Sequence, residues 1–190
     1  MKKDIILAGV GGQGILSIAT IIGNAALRLN MYLKQAEVHG MSQRGGDVMS
    51  CLRISTDPIA SDLIPKGKVD LIISLEPMEA LRYIDQLAPD GHIITSTEPF
   101  VNIPTYPEMG TILQELESHG NCIMLPCENI AKEVASARAS NMVLLGAATP
   151  MLGLTTDDIK QSIRAVFESK GEKIINDNLA AFNAGLAHQF

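Results

Sequence analysis

The sequence predicts an α/β fold: an open, mostly parallel sheet with helices on both faces and a helical C-terminal tail. Three observations carry this. Short apolar runs of strand length, at residues 5–10 and 69–74 above all, are continuous rather than alternating, as strands buried on both faces are. Helix-length segments stand between such runs and are joined by short turns, the order that builds a parallel-rich sheet. From Asn129 onward strand-like runs cease and only helical segments follow.

The first strand, residues 5–10, ends in glycines. Residues 15–29, ILSIATIIGNAALRL, hold one charge, Arg28, so a helix here is buried over most of its surface. A second strand is expected over residues 31–38 and a third over 47–55, with Val48, Leu52 and Ile54 as apolar members. After Asp57-Pro58 comes the buried strand 69–74, then Glu76-Pro77, a helix start with Pro in its first turn, and a helix to about Leu87. Pro89-Asp90-Gly91 reads as a turn before a strand at 92–95, and three prolines make residues 98–107 a loop. A helix at 111–118, the last strand at 122–125, and helices at 130–138, 142–152, 157–169 and 174–187 complete the chain, with Thr155 to Asp158 supplying cap oxygens. The tail is expected to wrap one sheet edge or build a partner surface.

At 190 residues and 20.4 kDa the chain is sized for a single domain spanning residues 1–190. Its net charge of −6 opposes a nucleic-acid partner, which selects a basic face. No apolar stretch reaches the roughly 18 residues of a membrane span, and glycines interrupt the N-terminus where a signal peptide would continue, so a cytoplasmic protein is expected. Cys51, Cys122 and Cys127 lack metal-ligand spacing and read as reduced thiols. His92, His119 and His188 fit ordinary surface or cap roles.

Two glycine-rich segments carry the functional signal. In Gly9-Val10-Gly11-Gly12-Gln13-Gly14, the first glycine permits a tight turn, the second lets a phosphate approach the backbone, and the third allows close helix–strand packing. The following helix aims its free N–H groups and positive dipole end at the turn. The architecture is thus Rossmann-like, and Glu37 is a candidate for holding ribose hydroxyls. The alternative is that the glycines serve chain packing alone. The second segment, Glu37-Val38-His39-Gly40-Met41-Ser42-Gln43-Arg44-Gly45-Gly46, combines a guanidinium fork for a phosphate or carboxylate with glycines that admit close approach and with hydrogen-bonding Ser42 and Gln43. Its plain reading is a solvated loop in which Arg44 pairs with Glu37. Histidine is the side chain whose ordinary pKa lies near neutrality, but no nucleophile with an orienting partner can be assigned beside His39, so no catalytic residue is named.

These two segments together resemble the gamma domain of 2-oxoacid (pyruvate):ferredoxin oxidoreductases, most closely the beta subunits of indolepyruvate oxidoreductases, with Ser42-Gln43-Arg44-Gly45-Gly46 the most specific part. The resemblance covers essentially the whole chain. It implies a non-catalytic but required subunit of an enzyme that oxidatively decarboxylates aryl 2-oxoacids to acyl-CoA and reduces ferredoxin. It further implies that a larger alpha subunit holds thiamine diphosphate and [4Fe-4S] clusters, that coenzyme A is the cosubstrate, and that ferredoxin is met through the complex. The binding positions it implies are Gly9, Gly11, Gly12, Gln13, Gly14, Glu37, His39, Ser42, Gln43, Arg44, Gly45 and Gly46, with no metal site in this chain. The competing expectation is a stand-alone NAD(P)-dependent oxidoreductase that uses the Gly9 to Gly14 turn.

Overall fold

The computed structural model describes residues 1–39, 45–101 and 103–188. Six strands form one sheet in the order β2-β3-β1-β4-β5-β6, where β1 is Lys2–Val10, β2 Tyr32–His39, β3 Asp47–Ser55, β4 Val69–Ser74, β5 Leu87–Ser96 and β6 Cys122–Leu125. β1 pairs with β4, β4 with β5 and β5 with β6 in parallel, whereas β3 runs antiparallel to both β1 and β2. The expected mostly parallel sheet is therefore present, with one reversed strand. The reversal has a simple cause: only residues 40–46 separate β2 from β3, too few for the crossover of a dozen or more that parallel pairing needs.

β1 presents alternate residues to two apolar layers. Ile5 and Leu7 join Leu52, Ile54, Leu71, Ile73 and Ile94 beneath α1 (Ile15–Arg28), α4 (Cys127–Val134), α5 (Ser140–Leu152), α6 (Thr156–Phe167) and α7 (Glu172–Ala187). Ile6 and Ala8 join Cys51, Ile72 and Ile93 beneath α2 (Pro77–Arg82) and α3 (Met109–Ser118). Helices thus cover both faces, as the continuous apolar strands require.

The tail departs from one of its two expected arrangements. It does not wrap an edge; it forms the thicker of the two helical layers, with α5 buried on nearly all sides against β4 and β5. α5 and α7 meet backbone to backbone: a Cβ on Gly146 would stand 2.1 Å from the Phe182 carbonyl oxygen, and one on Gly185 would stand 1.9 Å from that of Val143. Other boundaries shift as well. The helix expected to reach Leu87 ends at Arg82 and gives way to a 3-10 turn over Ile84–Gln86. β5 begins at Leu87, so Pro89-Asp90-Gly91 is not a turn but an irregular stretch of strand, where the register slips between Val69 and Leu71 and a proline is tolerated. The 130–138 helix is α4 followed by a break and a 3-10 turn, Ala137–Ala139. Thr155 does cap α6, in a reciprocal capping box with Asp158.

A buried ion pair locks the far end of the sheet. Arg53 Nε lies 2.7 Å from Asp4 Oδ1 and Nη2 3.1 Å from Oδ2, directly across the β1–β3 register, while Nη1 donates to the carbonyls of Ser61 and Leu63. With all three guanidinium nitrogens engaged, the pair fastens the segment before β4 and leaves little uncompensated charge. No helix among the described residues is long and apolar enough to cross a membrane.

The α5–α7 contact gives a direct stability test. Gly185→Ala forces overpacking against backbone and lowers unfolding free energy by about 1–3 kcal/mol, seen as a fall in the urea midpoint. Gly110→Ala in α3, where a Cβ meets nothing within 4 Å, leaves the midpoint unchanged or raises it, by up to about 1 kcal/mol.

Candidate functional site

The first glycine segment is the β1–α1 turn at the carboxyl edge of the sheet. Gly12 and Gly14 hold φ of 104° and 81°, in the left-handed range that admits glycine without strain. Gln13 closes the turn on itself: its Oε1 accepts from the Val10 N–H at 2.7 Å and its Nε2 donates to the Leu75 carbonyl at 3.4 Å. A Cβ on Gly9 would stand 2.8 Å from Gln13 Oε1 and 2.9 Å from Ile15 Cγ1, so the first glycine makes room for that lock. No side chain caps α1, and its first turn carries no acid, leaving the positive end of the helix open at the turn. Gln13 is therefore a structural residue of the turn and Gly12 its exposed rim.

The structure brings the second glycine segment to the first. Gly11 donates to the Gly46 carbonyl at 2.8 Å, and Gly45 donates to the Gly11 carbonyl at 3.4 Å, continuing the β1–β3 ladder beyond Val10 and Asp47. Gly45 adopts φ 79°. Gly40, Met41, Ser42, Gln43 and Arg44 lie outside the described residues, and of His39 only the backbone, the last residue of β2, is described. Glu37 is exposed and accepts from Gln35 Nε2 at 2.6 Å, the same amide that donates to Ser50 Oγ at 3.0 Å. β3 stands between Glu37 and β1, so the carboxylate is displaced from the turn by two strand spacings, roughly 10 Å. A ribose-holding acid sits on the strand beside the turn; here that neighbour is β3, which argues against the dinucleotide geometry.

A feature not visible in sequence opens on the helix side of the turn. Gly12, Gln13, Gly14 and Ser17 form one wall of a cleft of about 590 Å³ whose other walls are Ser136 to Ala139 and the start of α7. Arg138, Lys170 and Lys173 line it and make no ion pair with any carboxylate among the described residues. Lys170 Nζ lies 5.3 Å from the Phe167 ring centroid, a cation–π contact that steadies its stem. Asn141, 6% exposed, donates from Nδ2 to the Gly14 carbonyl at 3.2 Å, while its Oδ1 has no hydrogen-bond partner among the described residues. A Cβ on Gly14 would stand 2.7 Å from that Nδ2. The three cations come from 124 to 159 positions beyond Gly14, on what reads as a plain helical tail; the one local signal is a Lys on either side of Gly171.

Glu76 caps α2, accepting from the N–H of Glu79 at 2.9 Å and of Phe100 at 3.4 Å and from the Tyr106 hydroxyl. Burial, then the Glu76 hydrogen bond, push the Tyr106 phenol up. Burial raises all three thiols, Cys122 to about 11 and Cys127 to about 12, so none is an activated nucleophile. Among the described residues no group of three or more His, Cys, Asp or Glu could hold a metal ion, and the cysteines sit on β3, β6 and α4. These side chains do not fit an iron–sulfur cluster.

Comparison with known proteins matches this arrangement to a family. The sequence profile described as pyruvate ferredoxin/flavodoxin oxidoreductase covers residues 4–188. The chain belongs to this family. It is 37% identical to the indolepyruvate oxidoreductase subunit IorB of Pyrococcus horikoshii and 39% identical to that of Thermococcus kodakarensis, in both cases over 98% of this chain and 96% of the relative. The fold is shared with 2-oxoglutarate:ferredoxin oxidoreductase from Magnetococcus marinus, solved with 2-oxoglutarate, coenzyme A and succinyl-CoA bound, at a TM-score of 0.77 and 24% identity over 98% of this chain and 30% of that one. Its relatives are subunits of oxidoreductase complexes, and this family member is accordingly part of such an enzyme.

Two outcomes follow from the geometry. Gly14→Ala strains a left-handed backbone and drives a methyl into Asn141, lowering stability by about 2–4 kcal/mol as read by thermal unfolding; Gly12→Ala, with open space around its Cβ, costs about 1–2 kcal/mol. Iodoacetamide at pH 8 leaves Cys127 unmodified in the folded chain and labels it after denaturation, as read by peptide mass spectrometry, because its thiol stays protonated well above that pH.

Proposed function

We propose that this chain is the beta, gamma-type subunit of an indolepyruvate:ferredoxin oxidoreductase of the cytoplasm, a single gamma-type domain that works only with a larger alpha subunit. The observation that carries this is end-to-end identity of 37–39% with indolepyruvate oxidoreductase subunits, both chains being matched over nearly their full length. In this reading the larger subunit holds thiamine diphosphate and the [4Fe-4S] clusters, passes electrons to ferredoxin, and delivers the acyl group to coenzyme A. The cysteine positions described above support placing the clusters outside this chain. The coenzyme A bound in the Magnetococcus relative supports coenzyme A as the acyl acceptor.

This chain's own part is to present a rigid, positively polarised edge. The Gln13 lock and the Gly11–Gly46 bonds fix the backbone at the carboxyl edge of β1, where the uncapped end of α1 favours negative charge. Glu37, His39, Ser42, Gln43 and Arg44, in the segment that precedes Gly45 and Gly46, are proposed to meet the partner's active site or the coenzyme. A guanidinium there suits a desolvated diphosphate.

Purification of the tagged chain from its native source tests the reading. A larger protein containing iron and thiamine diphosphate is expected to copurify, and coenzyme A-dependent ferredoxin reduction by indolepyruvate is expected to need both chains. Isolation of the chain alone, with 2-oxoacid oxidation intact after its gene is deleted, overturns the proposal. NADH titrated into the isolated chain is expected to give no saturable fluorescence change.

A further inference from the structure

β2 leaves one side of the sheet open. It is the terminal strand of the sheet, bonded to β3 along its whole length, and among the described residues no strand pairs with its outer side. The unpaired N–H and C=O groups of such an edge are a template for another strand, and proteins that stay monomeric blunt it with a short length, a proline, a bulge or a lysine standing over it. β2 has 8 residues, no proline and an unbroken register against β3 from Tyr32 to His39. Its one lysine, Lys34, turns onto its own chain and donates to the Ala60 carbonyl at 3.3 Å. Two large apolar side chains stand exposed toward the strand's ends, Tyr32 at 50% and Val38 at 58%. The helix beside the edge is apolar on the same side. On α1 the exposed Leu16 and Leu27, about three helical turns apart, share the flank on which Gly23 meets Leu33 of β2 and lie away from Arg28, whose Nη2 donates to Gln161 of α6.

Symmetry and strand chemistry together select the occupant. A strand that pairs antiparallel with a second copy of itself does so about a twofold axis normal to the sheet. Residues directly opposite share a face, so that axis passes beside one residue that opposes itself. A centre at Lys34 or at Glu37 sets like charges face to face, which destabilises the pair. A centre at Ala36 sets Val38 against Lys34. A centre at Gln35 sets Tyr32 opposite Val38 on both sides of the axis, Lys34 opposite Ala36 and Leu33 opposite Glu37. In that register the exposed apolar side chains of the edge cover each other, an aromatic on a β-branched partner, and the self-opposed residue is a neutral amide that both donates and accepts. We infer that β2 is a self-pairing edge, through which two copies of this chain join antiparallel about Gln35 and merge their six-stranded sheets into one. The α1 helices of the two copies then lie on the same face of the joined sheet, with Leu16 and Leu27 toward the seam. A strand of unrelated sequence does not require Tyr32 and Val38 to stand at equal distances from a neutral centre, whereas a second copy does.

Sedimentation of the full chain is expected to give a mass that rises with concentration toward twice 20.4 kDa. Gln35→Lys and Gln35→Glu, each of which sets two like charges face to face on the axis, are expected to raise the dimer dissociation constant by about tenfold or more. The two variants mixed in equal amounts are expected to recover the parent's dimer, because opposite charges then meet there; misfolding of either variant does not produce that recovery. Under mild oxidation Gln35→Cys is expected to cross-link with itself, since directly opposed Cα atoms lie about 4.5–5.5 Å apart, within disulfide reach. Tyr32→Cys, set roughly 20 Å from its mate along the strand, is expected not to, and the parent controls for Cys51, Cys122 and Cys127. A monomeric chain overturns the inference and leaves the proposed function standing. A dimer that the charge variants do not weaken, or that their mixture does not restore, overturns it too. So does an assembly with the larger subunit in which Gln35→Cys no longer cross-links, since that subunit then covers the edge.

Discussion

The β1–β3 ladder does not stop where the strands stop, and most of what is distinctive about this molecule depends on that. Beyond Val10 and Asp47 the backbone bonds pass on to Gly11 with Gly46 and Gly45 with Gly11. Two glycine segments more than thirty positions apart thereby become one continuous piece of backbone. The positive φ of Gly45 falls where other residues rarely go. The ladder also fixes β3 as the neighbour of β1, which moves β2 and its Glu37 outward by one strand. The same contact that joins the segments therefore separates the acid from the turn.

The turn is held from the other side by the tail. Asn141 at the start of α5 donates to the Gly14 carbonyl, and α5 is itself held to α7 by Gly146 and Gly185, where the helix backbones touch. The start of α1 is thus bound to a buried helix more than 120 residues away in sequence. The linkage sets where the helical tail, already in the core, meets the turn. It also brings Arg138, Lys170 and Lys173 to the turn, since they flank α5 and α7. Packing of apolar surface supplies the driving force, and the cations are carried along at its rim.

Most of the fold was legible in the residues. Continuous apolar runs identified β1 and β4 as strands covered on both faces, and Thr155 with Asp158 marked the start of α6. The misreadings have physical causes. Pro89 and Gly91 look like a turn because proline normally leaves a sheet, but a register slip at Val69 to Leu71 gives them a place inside β5. The α4 segment breaks at Ala135, whose φ of −159° and ψ of −83° leave the helical region, and Ser136 then caps the 3-10 turn by accepting from the Arg138 N–H, a side-chain cap that competes with continued helix. The pair Asp4 and Arg53 gave no local sign of itself, since two charges 49 positions apart declare a contact only through the register of their strands.

The candidate site divides along the same line. The amino-acid sequence by itself determined what is local: the glycine turn, the open end of α1, the segment rich in glycine with its arginine, and the family these residues resemble. Such features depend on backbone conformations and capping within a few residues, which residue type controls directly. Only the tertiary structure decided which segments meet: that Gly46 bonds to Gly11, that Glu37 does not reach the turn, and that three cations from the tail gather beside Gly14. Those outcomes follow from strand order and from how the buried faces of α5 and α7 pack. They are properties of non-local apolar burial, which leaves no periodicity at the positions of the polar residues it brings together.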